Sequence, residues 1–539
     1  MTRYSRRSFA NLTGVSDNAQ VGYIRPCIGL GLGLPSDTLT TTVTAHVGLG
    51  IVLDSWFLEG DDDTPSPNFA PPSVPTPSPV HAARAFRGSS VKLFSAMGEG
   101  GNIVLVNGTP YDWVKTNEHS YQMDTWSFPD VVPAGTVRPV YVEWKEGILV
   151  RESDDGGEVN YTLEGTSKTF QVQARAPGGQ YDLQVYYDGI SSLNNPQGSI
   201  IKLGWKHDGD VVFILSGREG HFSSTNPPSD WMSRNLPTLG SRPLRHICMP
   251  GSHDSGMSLV DGKTPLANEN NVLTQTVSIA TQLFLGARYF DTRPVIADGK
   301  YKTGHYSGIE VLGWQGANGQ SFAQIIAEVN AYTADNHELV VLNLSHDRNT
   351  DAGRDFQPFT QAEWDALFEE LLALEHRFVA PDPEHADLTR LPLGDFIGRG
   401  EAAVVVVVQP DAPEITLGKY AQQGFYFYRQ FDAYNSYADK DTLEKMVEDQ
   451  LDKMRAVRTS PDAQLFLLSW TLTQAAQDIV TDGKILSLAA KANPAIFRYL
   501  LPAVNAQTFP NILYIDDFSH SDITALAMAI NDIVDSGEQ

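Results

Sequence analysis

Three things are scarce in this 539-residue chain: cysteine, positive charge and long apolar runs. The only cysteines, Cys27 and Cys248, exclude a disulfide framework and a cysteine-rich zinc site. Cys248 lies in an apolar run, where a buried free thiol is expected. Lys and Arg number 39 against 65 Asp and Glu, a net charge of −26. Such a surface repels nucleic acid, so no nucleic-acid partner is expected, and it repels anionic lipid headgroups. Membrane contact would rely on apolar or aromatic loops or a local basic patch. No stretch approaches the ~20 uninterrupted apolar residues of a membrane span. What remains, 41% apolar and 19% charged, is the make-up of a globular protein, long enough for two or three domains.

The first 84 residues read as a disordered segment. Residues 29–33 are glycine-rich, Asp61-Asp62-Asp63 opens an acidic tract, and seven prolines lie between Pro65 and Pro79. Proline at that density favours an extended linker. Ser5-Arg6-Arg7-Ser8-Phe9 resembles a twin-arginine export signal, but Asp17, Asn18 and Arg25 interrupt the apolar stretch such a signal needs. The compartment stays open, with a secreted or membrane-surface location favoured. Asn-x-Ser/Thr triplets stand at Asn11, Asn107, Asn160 and Asn343, the last inside an apolar strand candidate unsuited to glycosylation.

Residues 85–220 predict a β-sandwich domain. Short β-rich runs at 102–106, 137–144, 169–174, 181–187, 199–205 and 210–215 are separated by turn signals such as Asn107-Gly108, Asp155-Gly156-Gly157 and Asp208-Gly209. The aromatic segment 119–129 reads as sandwich core or as a face for a ligand or membrane. No chemistry is visible in this region.

From 225 to 539 strands and helices alternate. Strand candidates fall at 246–249, 287–291, 301–305, 339–344, 403–408, 425–428, 464–470 and 511–515. Helical patterns fall at 321–335, 361–374, 442–456, 484–499 and 521–534. Val404 to Val408 is unbroken β-branched, as in a strand covered on both faces. The expected fold is α/β: a TIM-type (β/α)8 barrel, imperfect closure allowed, preceded by the sandwich and the disordered segment.

In such barrels reactive groups sit where strands end. Gly251-Ser252-His253-Asp254-Ser255-Gly256 follows the first strand candidate. Asp291 and Arg293 follow the second, His305 ends the third, Ser345, His346 and Asp347 follow the fourth, and Asp516 and Asp517 end the eighth. Phosphodiester cleavage needs a base for the nucleophile's proton, an acid for the leaving oxygen and positive charge beside phosphorus. Two histidines serve as base and acid near neutral pH, flanking carboxylates fix their tautomers, and Arg293 presents a planar fork to phosphate oxygens.

On Gly251 to Gly256, Asp291-Thr292-Arg293, His305 and Tyr514 to Phe518, the stretch from about 240 to 525 resembles the X-domain of phosphatidylinositol-specific phospholipase C and its PLC-like phosphodiesterase relatives, in their bacterial form. The resemblance implies a phosphoric diester hydrolase or lyase in which a sugar hydroxyl attacks phosphorus and diacylglycerol leaves. His253 would be the base and His305 the acid. Asp254 would support His305, and Asp517 is favoured over Asp516 as the support of His253. Asp291-Thr292-Arg293 is similar to the bacterial pattern, in which arginine stands where the animal enzymes hold calcium. No cofactor or metal is therefore expected, calcium being the alternative. Asp432-Ala433-Tyr434 looks like the family's headgroup-binding Asp-x-Tyr. Ser345, Asp347 and Trp470, in Ser469-Trp470-Thr471, complete the expected substrate-binding set. Two departures leave the headgroup open: Ser345 and His346 replace a lysine after the fourth strand, and Val408-Gln409 replaces an arginine after the fifth.

Three readings follow. The first is a metal-independent phosphodiesterase on a phospholipid headgroup, meeting the membrane surface transiently. The second is a calcium-dependent esterase, or one acting on another phosphodiester. The third is an inactive barrel whose β-domain binds lipid or glycan.

Overall fold

The computed structural model describes residues 98–536, except 148–149, 310–312, 354, 413 and 474–483. The segment expected to be disordered, 1–84, lies outside the described residues.

Eight short runs form one all-parallel sheet: β1 (Met249–Ser252), β2 (Tyr289–Thr292), β3 (Leu339–Ser345), β4 (Ala403–Gln409), β5 (Phe425–Phe427), β6 (Ala433–Asn435), β7 (Leu465–Ser469) and β8 (Ile512–Ile515). Their order is β5-β4-β3-β2-β1-β8-β7-β6. Alternation sorts the side chains. Met249, Tyr289, Val341, Val405, Leu467 and Ile512 point inward, into one core. Phe290, Val340, Leu342, Val404, Val406, Leu468 and Leu513 point outward, under the helices. The helix Gln361–Leu371 shows how this cover forms locally. Thr360 and Glu363 close a capping box, and Trp364, Leu367, Phe368 and Leu371 recur at helical spacing on the buried face.

Two features set this sheet apart from a closed (β/α)8 barrel, the first being the imperfect closure allowed for above. Among the described residues β5 and β6 are edges with no ladder between them. Only residues 428–432 join them, a link spanning at most about 22 Å, so the sheet curls until its two edges face each other without closing. Second, the run 301–305 is not a barrel strand. It lies in Lys300–Ile309, which pairs antiparallel with Pro294–Ala297 and with Gly313–Ser321 beside the main sheet. The two-residue turn Asp298-Gly299 dictates this, because a parallel return needs a crossover of about ten residues or more. Both turn residues are left-handed, φ 53° and 68°. The eighth strand is instead the three-residue β6, too short to show a period.

Two further sheets precede the parallel one. One has five strands, with Glu99–Gly108 and Asp210–Arg218 at its centre. The other has six, from Val131–Val132 at one edge to Ile200–Gly204 at the other. Val159, Tyr161, Phe170, Val172, Leu183 and Val185 face Ile103, Leu105, Val140, Val142, Phe213 and Leu215 across the interior. Trp126 and Phe128 are buried in it, which settles the aromatic segment 119–129 as core at those two positions. The opposite face of the five-stranded sheet, with Val104, Val106, Val212 and Ile214, packs into the core beneath the helices of the parallel sheet. That strand pair is therefore apolar on both sides.

Across this contact Ser216 Oγ donates to Asp532 Oδ2 at 2.8 Å, from the helix Asp522–Ser536. Burial pushes the Asp532 carboxyl up to about 7. A folded-state value above the unfolded one means that stability falls as pH rises from about 4 through about 7. Asp532→Asn is expected to raise the melting temperature by about 1–2 °C at pH 8, with the gain gone at pH 4, as read by calorimetry at both pH values.

Candidate active site

The inward parity of the sheet carries directly into the site. Residues 249, 251 and 253, then 289, 291 and 293, then 341, 343 and 345, then 512, 514 and 516 face the interior of the curl and rise to its mouth. Gly251 has no room for a side chain: a Cβ there would lie 2.7 Å from Ile512 and 3.3 Å from Tyr289. Above it His253 emerges at the strand end, its N–H donating to the Ile515 carbonyl at 2.9 Å. The next residue, Asp254, is left-handed (φ 42°), and so are His346 after β3 (57°) and Asp517 after β8 (49°). Such conformations cost about 1–3 kcal/mol each, and three of them ring one mouth.

His253 Nδ1 lies 2.7 Å from Asp516 Oδ1, and its Nε2 lies 2.7 Å from a terminal nitrogen of Arg293. A guanidinium only donates, so Nε2 presents its lone pair and the proton sits on Nδ1, shared with Asp516. His253 is thus a neutral imidazole in the tautomer a general base requires. His305 Nδ1 lies 2.8 Å from Asp254 Oδ2, which leaves His305 Nε2 outward. The two His–Asp pairs flank Arg293. Arg293 Nε donates to Asp291 Oδ2 at 3.0 Å, and Nη1 lies 3.5 Å from Asp254 Oδ2. His253, His305 and Arg293 keep 18%, 19% and 15% of their side-chain surface, while Asp254, Asp291 and Asp516 keep 0%, 4% and 3%. The acids are walled in, and the two histidines and the arginine stay partly exposed.

Asp291 is the hub. Its Oδ1 accepts from Ser345 Oγ at 2.8 Å, and its Oδ2 accepts from Arg293, from the Tyr514 hydroxyl and from the Asp254 N–H at 3.1 Å. Burial opposes its ionisation, but the Arg293 charge and the Tyr514 hydrogen bond outweigh it and hold the carboxyl well below the usual carboxylate range. Burial likewise opposes the charge on Arg293, and Asp291 and Asp254 overcome it, so the guanidinium is locked on.

Several expected residues lie elsewhere. Asp517 accepts from Thr276 Oγ1 at 2.6 Å, while its neighbour Asp516 holds His253. One residue along a strand reverses the side. Asp516→Asn is therefore expected to lower kcat about a hundredfold or more by freeing the wrong tautomer, whereas Asp517→Asn stays within about twofold; steady-state kinetics of both variants distinguish them. Asp347 is fully buried and accepts from the Asp411 N–H at 2.8 Å and the Phe359 N–H, so it clips loops together. Trp470 has outward parity: it is fully buried and donates to the Ala492 carbonyl of the helix Ile485–Tyr499 at 2.8 Å. Tyr434, also outward, stacks on Phe466 with centroids 5.8 Å apart. Asp432 precedes its strand and accepts from Gln464 at 2.7 Å, at the end of the sheet opposite the histidines. Ser345 stays in the site, as a donor to Asp291. Tyr514 is signalled in the sequence only as part of a motif, and its inward parity is what finds it.

No family model matches the chain. It is 28% identical over 144 residues to PI-PLC X domain-containing protein 3 of Bos taurus, 22% of this chain and 42% of the relative. It is 30% identical over 103 residues to PI-PLC X domain-containing protein 1 of Homo sapiens, 15% of this chain and 32% of the relative. Its relatives are PI-PLC X domain-containing proteins. The chain spans about two fifths of the length of the first of these X-domain relatives. Among solved structures, phosphatidylinositol-specific phospholipase C from Listeria monocytogenes aligns with a TM-score of 0.38 at 14% identity, over 57% of this chain and 98% of that one. The F249X mutant of the Staphylococcus aureus enzyme aligns with 0.39 at 16%, over 57% and 97%.

Proposed function

We propose that this X-domain relative is a phosphoric diester hydrolase or lyase that cleaves a phospholipid headgroup of the phosphatidylinositol kind. The observation that carries the reading is the pair of His–Asp couples set either side of one half-buried arginine. In this reading a headgroup hydroxyl approaches His253. The phosphate draws Arg293 away from His253 Nε2, which frees that lone pair to take the hydroxyl proton. The alkoxide attacks phosphorus, Arg293 faces the growing negative charge, and the outward nitrogen of His305 hands a proton to the departing diacylglycerol oxygen. Asp516 and Asp254 hold the two rings and balance the imidazolium that forms in each half-step.

Arg293 supplies the positive charge in this scheme, and the reading is metal-independent. The calcium alternative fits these residues poorly. Asp291, the acid such an ion would need, already receives four donors, from Ser345, Arg293, Tyr514 and the Asp254 N–H. Among the described residues no group of three His, Cys, Asp or Glu side chains is placed to hold an ion.

The test is hydrolysis of phosphatidylinositol vesicles in the presence of chelator by the wild type and His253→Ala. Release of a cyclic inositol phosphate by the wild type alone is the expected result. Activity that needs calcium returns the reading to the metal-dependent alternative. No release under either condition moves the chain to another phosphodiester or to a binding role.

A further inference from the structure

The ladder between β1 and β8 ends at the pair Ser252 and Ile515. His253 and Asp516 stand one residue beyond it, tied only by the His253 N–H donating to the Ile515 carbonyl at 2.9 Å. Past that bond both chains turn left-handed, at Asp254 (φ 42°) and Asp517 (φ 49°). The 2.7 Å contact between the His253 ring and Asp516 thus lies where the sheet has stopped setting the distance between its strands.

Three consecutive residues, in the loop leading to the helix Ile279–Phe284, take over that task. Thr274 Oγ1 donates to the Asp254 carbonyl at 2.9 Å, and the Thr274 carbonyl accepts from the Asp517 N–H at 2.8 Å. Thr276 Oγ1 donates to Asp517 Oδ1 at 2.6 Å. Between the two threonines Gln275 is fully buried, and its one side chain reaches both strand ends. Nε2 donates to the His253 carbonyl at 2.7 Å and to the Ile515 carbonyl at 3.3 Å. Oε1 accepts from the Phe518 N–H at 2.8 Å.

The orientation of this amide is fixed by its partners. Exchanging its oxygen and nitrogen would set an acceptor against two carbonyls and a donor against an N–H. With both amide protons and the oxygen engaged, Gln275 acts as a peptide unit inserted between two chains that no longer pair. Without it the Phe518 N–H and the His253 carbonyl lose a buried partner, which favours movement of both chains. Asp517 finds its place here as well: its N–H and its carboxylate fasten the strip on which Gln275 sits.

We propose that Gln275 is a positioning residue for the base: its amide ties the backbone on both sides of the His253–Asp516 contact and keeps ring and carboxylate in register past the end of the sheet. The role of His253 as base rests on the phosphodiesterase reading above; the tie between the two strand ends does not.

Spectroscopy and kinetics on the full chain test it. The proton shared by His253 Nδ1 and Asp516 is expected to give a far-downfield ¹H NMR resonance, identified by its loss in His253→Ala. Gln275→Met nearly keeps the volume and removes the amide. It is expected to abolish or shift that resonance while the signal of the His305–Asp254 pair stays. Asn531→Leu is the control, because Asn531 holds the other end of β1 in the same manner, donating to the Cys248 carbonyl at 2.9 Å and accepting from the Cys248 N–H at 2.7 Å. Its loss is expected to lower the melting temperature comparably and to leave the His253 resonance in place. A His253 resonance unchanged in Gln275→Met, or lost equally in Asn531→Leu, overturns the proposal. Where Gln275→Met does not fold, Gln275→Asn, which keeps the amide and shortens its reach by one methylene, carries the same expectation and the same overturning result. On phosphatidylinositol, Gln275→Met is expected to lower kcat about tenfold or more and to move KM less than about twofold, as a misplaced base would. An unchanged kcat overturns the proposal. A wild type that cleaves no phosphodiester overturns the phosphodiesterase reading, and the resonance alone then judges the tie.

Discussion

His253→Ala is expected to lower kcat on phosphatidylinositol about a thousandfold or more, and His305→Ala to do the same. The two losses part company when the leaving group changes. A nitrophenyl ester of the same headgroup expels a weakly basic phenolate that needs no proton. His305→Ala should therefore recover most of its activity on that ester, while His253→Ala stays impaired, because the nucleophile's proton must still be removed. This pattern follows from the geometry. His253 is tied to Asp516 at one nitrogen and to Arg293 at the other, beside the phosphate's charge partner, whereas His305 is held only through Asp254 and points outward. Steady-state kinetics on the two substrates give the answer. Equal recovery of both variants on the nitrophenyl ester would remove the division of labour between base and acid.

The second large effect concerns Arg293. Arg293→Lys keeps a positive charge but loses the fork that reaches His253, Asp291 and Asp254 together, and kcat/KM should fall about a hundredfold. Arg293→Ala should cost more, and stability with it. Asp291 would remain in a buried site without its cation, and breaking such a pair costs about 3 kcal/mol. Denaturant unfolding at neutral pH should show that loss for Arg293→Ala and much less of it for Arg293→Lys. An alanine variant as stable as the wild type would mean that Ser345, Tyr514 and the Asp254 N–H suffice to hold the carboxylate.

Much of this site is legible in the amino-acid sequence, for a local reason. Reactive residues fall at strand ends, and strand ends are visible as the points where an apolar run meets His253-Asp254, Asp291-Thr292-Arg293 or Asp516-Asp517. Which of two adjacent residues turns inward is also written in the chain once the strand register is known. In β8, Ile512 and Tyr514 face inward and so does Asp516, which excludes Asp517. In β7, Leu465 and Leu467 face inward, which sends Trp470 under a helix. Motif likeness points to Asp517 and Trp470, and strand parity points away from both. The Asp298-Gly299 turn is an equally local sign that 301–305 returns antiparallel.

Other features have no local signal. That Asp516 serves His253 across 263 positions, and that Asp254 serves His305 across 51, depends on which strands become neighbours, and burial of the whole sheet sets that order. The failure of β5 and β6 to pair is a property of the whole circuit of strands, which no single strand encodes. The hydrogen bond from Ser345 to Asp291 likewise needs two neighbouring strands, β3 and β2. The sequence by itself determined the periodic elements, the strand-end chemistry and the lack of a cysteine-based scaffold, because each rests on neighbours along the chain. The tertiary structure alone decided which acid holds which histidine, what Arg293 reaches and where the sheet stays open, because hydrogen bonds a few ångströms long join residues tens to hundreds of positions apart.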